Sequence, residues 1–205
     1  MTAPVLSVDY SGNTFVKVSF DEYLPGTESV VVQRISDGRT WDARGGFHIA
    51  TGVGVTDFEA PFGVPSRYRG QCFDAAGAPL GFTDEAEVTV WDDRTIIHQP
   101  LDPSVWVSVT DMAGTAVELS KPSPGENVWV EGAPYARRIG GVRRGLEGFR
   151  YQFDTFSHED ADMVQRLTGT PDEPFPAIVC VRMPPPVRIP RTLFVTVEQL
   201  VEVDK

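Results

Sequence analysis

The feature that most constrains this chain is its punctuation: short apolar runs, each cut off by a turn signal before a helix could establish its period. Val5-Leu6-Ser7-Val8 stops at Ser11-Gly12-Asn13, and Thr14 to Phe20 alternates, with Val16, Val18 and Phe20 on one side and Phe15, Lys17 and Ser19 on the other. Val30 to Ile35 runs into Asp37-Gly38, a strong hairpin-turn dipeptide. Strand signals return near Phe47, Val53 and Val64, then at Tyr68 to Phe73 and Glu87 to Trp91. About seven short strands in this stretch, with no competing helical period, predict an immunoglobulin-like or fibronectin-type sandwich over residues 1–92.

The pattern breaks in charge at Trp91-Asp92-Asp93-Arg94, and a second β-rich segment is expected over 93–205. Strands are predicted at Val105 to Val109, Asn127 to Val130, Leu146 to Phe156, Ala177 to Arg182 and Thr192 to Val203, with a hairpin from Ala136 to Arg144 turning at Gly140-Gly141. One helix is expected near 158–168. Ser157 is suited to its N-cap and Asp160 completes an approximate capping box; Met163, Val164 and Leu167 give it an apolar face, and Gly169 ends it. The fold class is therefore mainly β: a sandwich followed by a β-rich barrel or sandwich with one helix.

Charge narrows the function. The chain carries net −11, divided almost evenly between 1–90 and 91–205, so neither half has the basic excess that nucleic acid or an anionic membrane requires. No stretch approaches the ~20 apolar residues of a membrane span, and the N-terminus lacks the pattern of a signal peptide, which leads to the expectation of synthesis in a cytoplasm. Cys72 and Cys180 each sit in an apolar run and read as buried free thiols.

Catalytic chemistry finds little purchase. His48, His98 and His158 are dispersed, with no cysteine or histidine at ligand spacing. His158-Glu159-Asp160-Ala161-Asp162 is the densest group of possible metal ligands, and its plainer reading is the acidic start of the helix. There is no Gly-x-Ser-x-Gly elbow and no phosphate-binding glycine loop. Asp21-Glu22, Asp84-Glu85 and Asp92-Asp93 border turns, where solvated acids are expected. No catalytic residue, cofactor or metal is predicted. Arg137, Arg138, Arg143 and Arg144 do call for explanation, because like charges facing each other across a hairpin destabilise it. They read as a solvated loop, as one side of a subunit interface whose other side is acidic, or as a contact to DNA, against which the acidic total argues.

Three runs, Asp37-Gly38-Arg39-Thr40-Trp41, Arg44-Gly45-Gly46, and Asp57 through Arg69 (DFEAPFGVPSRYR), taken together resemble the minor tail proteins of siphophages that infect Actinobacteria. In those a fibronectin-like domain precedes a ring-type tail domain, and Leu101-Asp102-Pro103 is similar to the start of the second domain. The resemblance implies a virion structural component of the tail or baseplate, partnered by copies of itself in a symmetric ring and by other tail proteins, and not an enzyme. In the third run the Pro61, Gly63 and Pro65 corner precedes Tyr68, placed like the tyrosine corner of sandwich folds, whose hydroxyl bonds back to the chain. Two alternatives compete. One is a carbohydrate-binding module using Trp41, Trp91, Trp106 and Trp129, although tryptophan in strands is more often core. The other is a hydrolase with a fibronectin-like accessory domain, for which no catalytic constellation is legible.

Overall fold

A computed structural model of the chain describes residues 2–112, 125–129, 131, 134–135, 137–140, 150–170, 175–185 and 192–201. The protein is mainly β, its sheets antiparallel, with one helix among the described residues. It divides into two compact units, Met1–Val109 with Thr155–Lys205, and Thr110–Asp154.

The first unit opens with β1 (Val5–Asp9), β2 (Phe15–Ser19), β3 (Ser29–Ser36), β4 (Arg39–Asp42), β5 (Ile49–Ala50), β6 (Val55–Asp57), β7 (Pro65–Phe73), β8 (Pro79–Phe82) and β9 (Ala86–Thr89). One sheet has the order β1-β2-β6 and the other β4-β3-β7-β8, with β5 on β3 and β9 on β7. Thus β1, β2 and β6 face β3 and β7, the layout of an immunoglobulin-type sandwich. Nine strands replace the seven expected, because turns that read as bare loops close short edge strands. Asp37 and Gly38 both adopt positive φ, 49° and 70°, as a two-residue hairpin turn demands, and this turns β3 into β4 with Ser36 opposite Arg39.

Period-two patterning builds the core. Val16 and Val18 of β2, Val30 and Val32 of β3, and Tyr68 and Cys72 of β7 are completely buried between the two sheets. Each apolar side chain so buried contributes about 1.5–3 kcal/mol of transfer free energy. Gly70 sits at the same parity on β7, where a Cβ would lie 2.8 Å from Val30 Cγ1 and 3.1 Å from Phe20 Cε1. The strand there has room for hydrogen only.

The first unit continues through β10 (Thr95–His98) and β11 (Trp106–Asp111), the latter running on into the second unit. In the second, β12 (Gly125–Val128) pairs with β13 (Arg137–Gly140), with Asn127 opposite Arg138 and Val128 opposite Arg137. The end of β11 pairs with β14 (Phe153–Asp154). The expected return of the hairpin through Arg143 and Arg144 lies outside the described residues, as do the first four residues, 146–149, of the strand expected from Leu146 to Phe156; of its described part only Phe153–Asp154 is strand.

Back in the first unit, α1 (His158–Leu167) is capped as anticipated: the Ser157 hydroxyl oxygen accepts from the Asp160 amide at 3.1 Å. The reciprocal bond differs from a standard capping box. Ser157 Oγ donates to Asp160 Oδ2 at 2.8 Å, since an aspartate is too short to reach back to the N-cap amide. Val164 and Leu167 are buried, and Gly169, at φ 87°, ends the helix. Then come β15 (Ile178–Arg182) and β16 (Thr192–Thr196). The strand order is β11-β10-β15-β16, so β10, buried at every position, lies between β11 and β15. Residues on both sides of the expected 92/93 boundary therefore belong to one compact unit. Both cysteines are free and buried.

Gly70→Ala is expected to destabilise the protein by about 1–3 kcal/mol through overpacking against Val30 and Phe20, read as a lower urea midpoint at unchanged slope; wild-type stability would show that the sheets can move apart.

Candidate functional site

The chemistry of this chain is concentrated in buried polar groups, the first of which ties the sandwich sheets together. Asp57, at the end of β6, accepts from Arg34 Nη1 of β3 at 2.6 Å and from the Tyr68 hydroxyl of β7 at 2.8 Å on Oδ2, while its Oδ1 takes the Glu59 amide at 2.8 Å. All three side chains are at most 5 % exposed. Burial works against the charge on Arg34, but Asp57 outweighs it and holds the guanidinium above its ordinary range. Burial, together with the Asp57 charge, pushes the Tyr68 phenol well up, so it remains a hydrogen-bond donor. Tyr68 was expected to bond back to the main chain as in a tyrosine corner. It bonds to a carboxylate instead, because Asp57 places a stronger acceptor at the same corner.

A second group binds the sandwich to the strands that follow it in the first unit. Arg182 of β15 is fully buried; its Nη2 donates to Asn13 Oδ1 at 2.5 Å, and its guanidinium carbon lies 4.7 Å from the centre of the Phe62 ring. Burial pulls this guanidinium down to about 10, still charged at neutral pH. Asn13 Nδ2 in turn donates to the Pro103 carbonyl at 2.8 Å. Asp92 accepts from Thr14 Oγ1, from the Arg94 amide at 3.0 Å, and from Arg94 Nε and Nη2 at 2.9 and 2.8 Å. Burial opposes ionisation of Asp92, but the Arg94 and Thr14 bonds hold its carboxyl below the ordinary range. Asp92 was expected to be a solvated acid; its side chain is 3 % exposed, the anchor of a loop knot. Glu59 takes Arg44 Nε at 2.5 Å, and its carbonyl accepts from Thr192 Oγ1 of β16 at 3.2 Å.

Gln99 and His98 complete the joint. The fully buried Gln99 donates from Nε2 to the carbonyls of Leu167, Pro176 and Ile178, which fastens the end of α1 to the start of β15. His98 Nδ1 donates to the Gln99 carbonyl at 3.3 Å. Burial, followed by the charge of Arg182, pulls the imidazole down to about 3, so it stays neutral. Burial also pushes the Cys180 thiol up to about 12, which leaves it unreactive.

Catalytic and metal-binding arrangements fare differently. Ser29 Oγ lies 3.2 Å from His48 Nδ1, a pairing that their separation in sequence concealed. The ring packs against Phe47 and Phe73, and no carboxylate orients it among the described residues. It therefore lacks the third member that activates a serine. Among the described residues no three His, Cys, Asp or Glu side chains converge as a metal site. Asp160 is engaged in capping α1 and His158 is exposed. No helix among the described residues is long and apolar enough to cross a membrane.

Of the four arginines singled out, the structure puts Arg137 and Arg138 on β13, opposite Val128 and Asn127; Arg143 and Arg144 lie outside the described residues. The tryptophans overturn one expectation. Trp41, Trp91 and Trp129 are 44, 64 and 72 % exposed, and only Trp106 packs against the core. Trp41 lies on the short strand β4, and Trp91 and Trp129 follow the ends of β9 and β12. No family model, curated protein or solved structure matches the chain.

Because folding lowers the His98 pKa from the ordinary 6.5 to about 3, the unfolded chain takes up its proton first as pH falls. The stability that neutral His98 contributes is complete above pH 6.5 and is lost progressively below it. In urea unfolding between pH 4 and 6.5, His98→Asn is expected to flatten the pH dependence by up to one proton's worth, about 1.4 kcal/mol per pH unit; an unchanged slope would show that His98 protonates without unfolding.

Proposed function

We propose that the chain is a structural component of a phage tail, a minor tail or baseplate protein that acts through protein–protein interfaces and has no catalytic activity. The observation that carries this reading is the use made of the runs that resemble minor tail proteins. Asp57, Glu59, Ala60, Phe62 and Tyr68 are all buried, and Arg44 pairs with Glu59. The polar members fasten strands to one another, and none is directed toward a substrate. A stretch whose buried members hold one geometry suits a part that is repeated in an assembly. Its partners on this reading are copies of itself in a ring and neighbouring tail proteins, and its place is the virion.

The exposed tryptophans favour a second reading, a module that stacks indole rings on host glycans, since exposed aromatic faces are what sugar rings recognise. Quantitative mass spectrometry of purified particles separates the two. A tail component is expected in several copies per particle, in tail fractions and not in heads. Absence from the particles would overturn the structural reading.

A further inference from the structure

One surface of the first unit has a chemistry that the strand-fastening networks do not explain. A cleft of about 590 Å³ is lined by Tyr10, Trp91, Asp93, Arg94, Pro184 and Pro185, all within that unit. Its volume falls in the range of about 300–1,000 Å³ typical of small-ligand sites. Tyr10 and Trp91 are 48 and 64 % exposed, so two large ring surfaces stay in water where burial would have stabilised the fold. Pro184 and Pro185 add wall atoms whose ring torsions are already fixed, so little conformational freedom is lost there on binding.

The polar part of the cleft is held in place. Arg94 Nε and Nη2 donate to Asp92 at 2.9 and 2.8 Å, and Nη2 also reaches the Gly12 carbonyl at 3.2 Å and Thr14 Oγ1 at 3.0 Å. Those bonds keep the guanidinium in one orientation, and Nη1 takes part in none of them. The Asp92 side chain that fixes it is buried, whereas the Arg94 side chain is 34 % exposed. Asp93 is exposed and contributes to the field that keeps Arg94 charged. A fixed donor and an ionised acceptor thus line the same cleft as two aromatic rings. This combination selects by charge. An anionic ligand meets Asp93, a cationic one meets Arg94, and a purely apolar one would desolvate both without replacing their water. A neutral hexose satisfies donor, acceptor and ring together. Its vicinal hydroxyls donate to a carboxylate and accept from a guanidinium, while its C–H face lies against an aromatic face, whose negative centre attracts it.

We propose that this cleft binds a neutral hexose oligosaccharide, with Trp91 and Tyr10 as stacking surfaces, Asp93 as the acceptor of its hydroxyls and Arg94 as a donor to them. The inference rests on the reading in which exposed indole rings meet glycans, and it assigns that contact to Trp91 rather than to Trp41 or Trp129. It does not depend on the place of the chain in a particle: a tail subunit with this cleft holds a sugar in addition to its protein neighbours.

The test is isothermal titration calorimetry of the full chain with cellohexaose, maltohexaose, mannohexaose and N-acetylchitohexaose, and with hexa-arginine as the cationic comparison. At least one of the sugars is expected to bind, with an affinity that added salt leaves unchanged because the ligand carries no charge. For that sugar Trp91→Ala, Tyr10→Ala and Asp93→Ala are each expected to weaken binding about tenfold or more, whereas Trp41→Ala and Trp129→Ala bind as wild type does. Melting temperatures equal to wild type establish that these surface variants fold. Sugar binding that survives both Trp91→Ala and Asp93→Ala overturns the cleft assignment; if Trp41→Ala or Trp129→Ala removes it instead, the glycan reading stands at another site. Binding of none of the sugars overturns the assignment and the glycan reading together. So does salt-sensitive, Asp93-dependent binding of hexa-arginine alone, which gives the cleft to a cation. Particle composition is read separately, so the structural reading stands or falls independently of each of these results.

Discussion

One carboxylate holds the sandwich in register. Asp57 stands at the end of a strand in one sheet and takes donors from two strands of the other, Arg34 and Tyr68. The apolar core pulls the sheets together but does not specify how far one slides over the other, because valine packs on valine at many offsets. A buried charge does specify it. Moving β3 by two residues would preserve which side chains face inward and would pull Arg34 away from Asp57, leaving a buried guanidinium without its carboxylate. Breaking a buried pair costs about 3–5 kcal/mol, whereas forming one returns little net stability against an apolar replacement. The network therefore selects one arrangement more than it strengthens it.

The same logic extends to the joint. Arg182 reaches Asn13 and Phe62, Asn13 reaches Pro103, Asp92 gathers Thr14 and Arg94, and Thr192 reaches Glu59. Each contact has one member from the sandwich or its last loop and another from the strands after it, or fixes a residue that has. Since these donors and acceptors are directional, they fix orientation as well as proximity. The polar contacts supply angles that the surrounding apolar burial cannot.

Much of this architecture was legible in the sequence, and what was not has a physical cause. Alternation over Phe15–Ser19, the Asp37-Gly38 turn and the Ser157 cap gave β2, the β3–β4 hairpin and α1 directly, because each depends on neighbours in sequence. The buried polar groups depend on residues far away. A parity signal was nonetheless present: Arg34 shares the inward parity of Val30 and Val32, Asp57 that of Val55, and Arg182 that of Cys180. A charge at an inward position of an apolar strand must have a buried partner. That marks where a network begins but not where it ends. Asp92 carries no such mark, since an acid in a loop looks the same whether solvated or enclosed. Trp91 was misjudged for the converse reason: a strand pattern continued past Thr89, where β9 ends, and exposure at a strand end is decided by what packs across it.

A subunit that repeats around an axis places a demand on its own interior that a solitary protein does not. In a closed ring each copy meets the next through two surfaces, and the angle between those surfaces, multiplied by the number of copies, must return to the start. A joint free to bend by a few degrees would spread that angle and populate open chains beside closed rings. Apolar contact alone tolerates such bending at little cost, because it is non-directional. Buried charge-assisted hydrogen bonds tolerate it poorly, since a small rotation lengthens them where no water can substitute. On the proposed reading, the polar residues of the joint serve that requirement within the first unit by holding the later strands at one angle to the sandwich. The same requirement suits a sequence that retains Arg34, Asp57, Glu59 and Arg182 in its interior, when apolar residues of similar volume would pack there at no loss of stability.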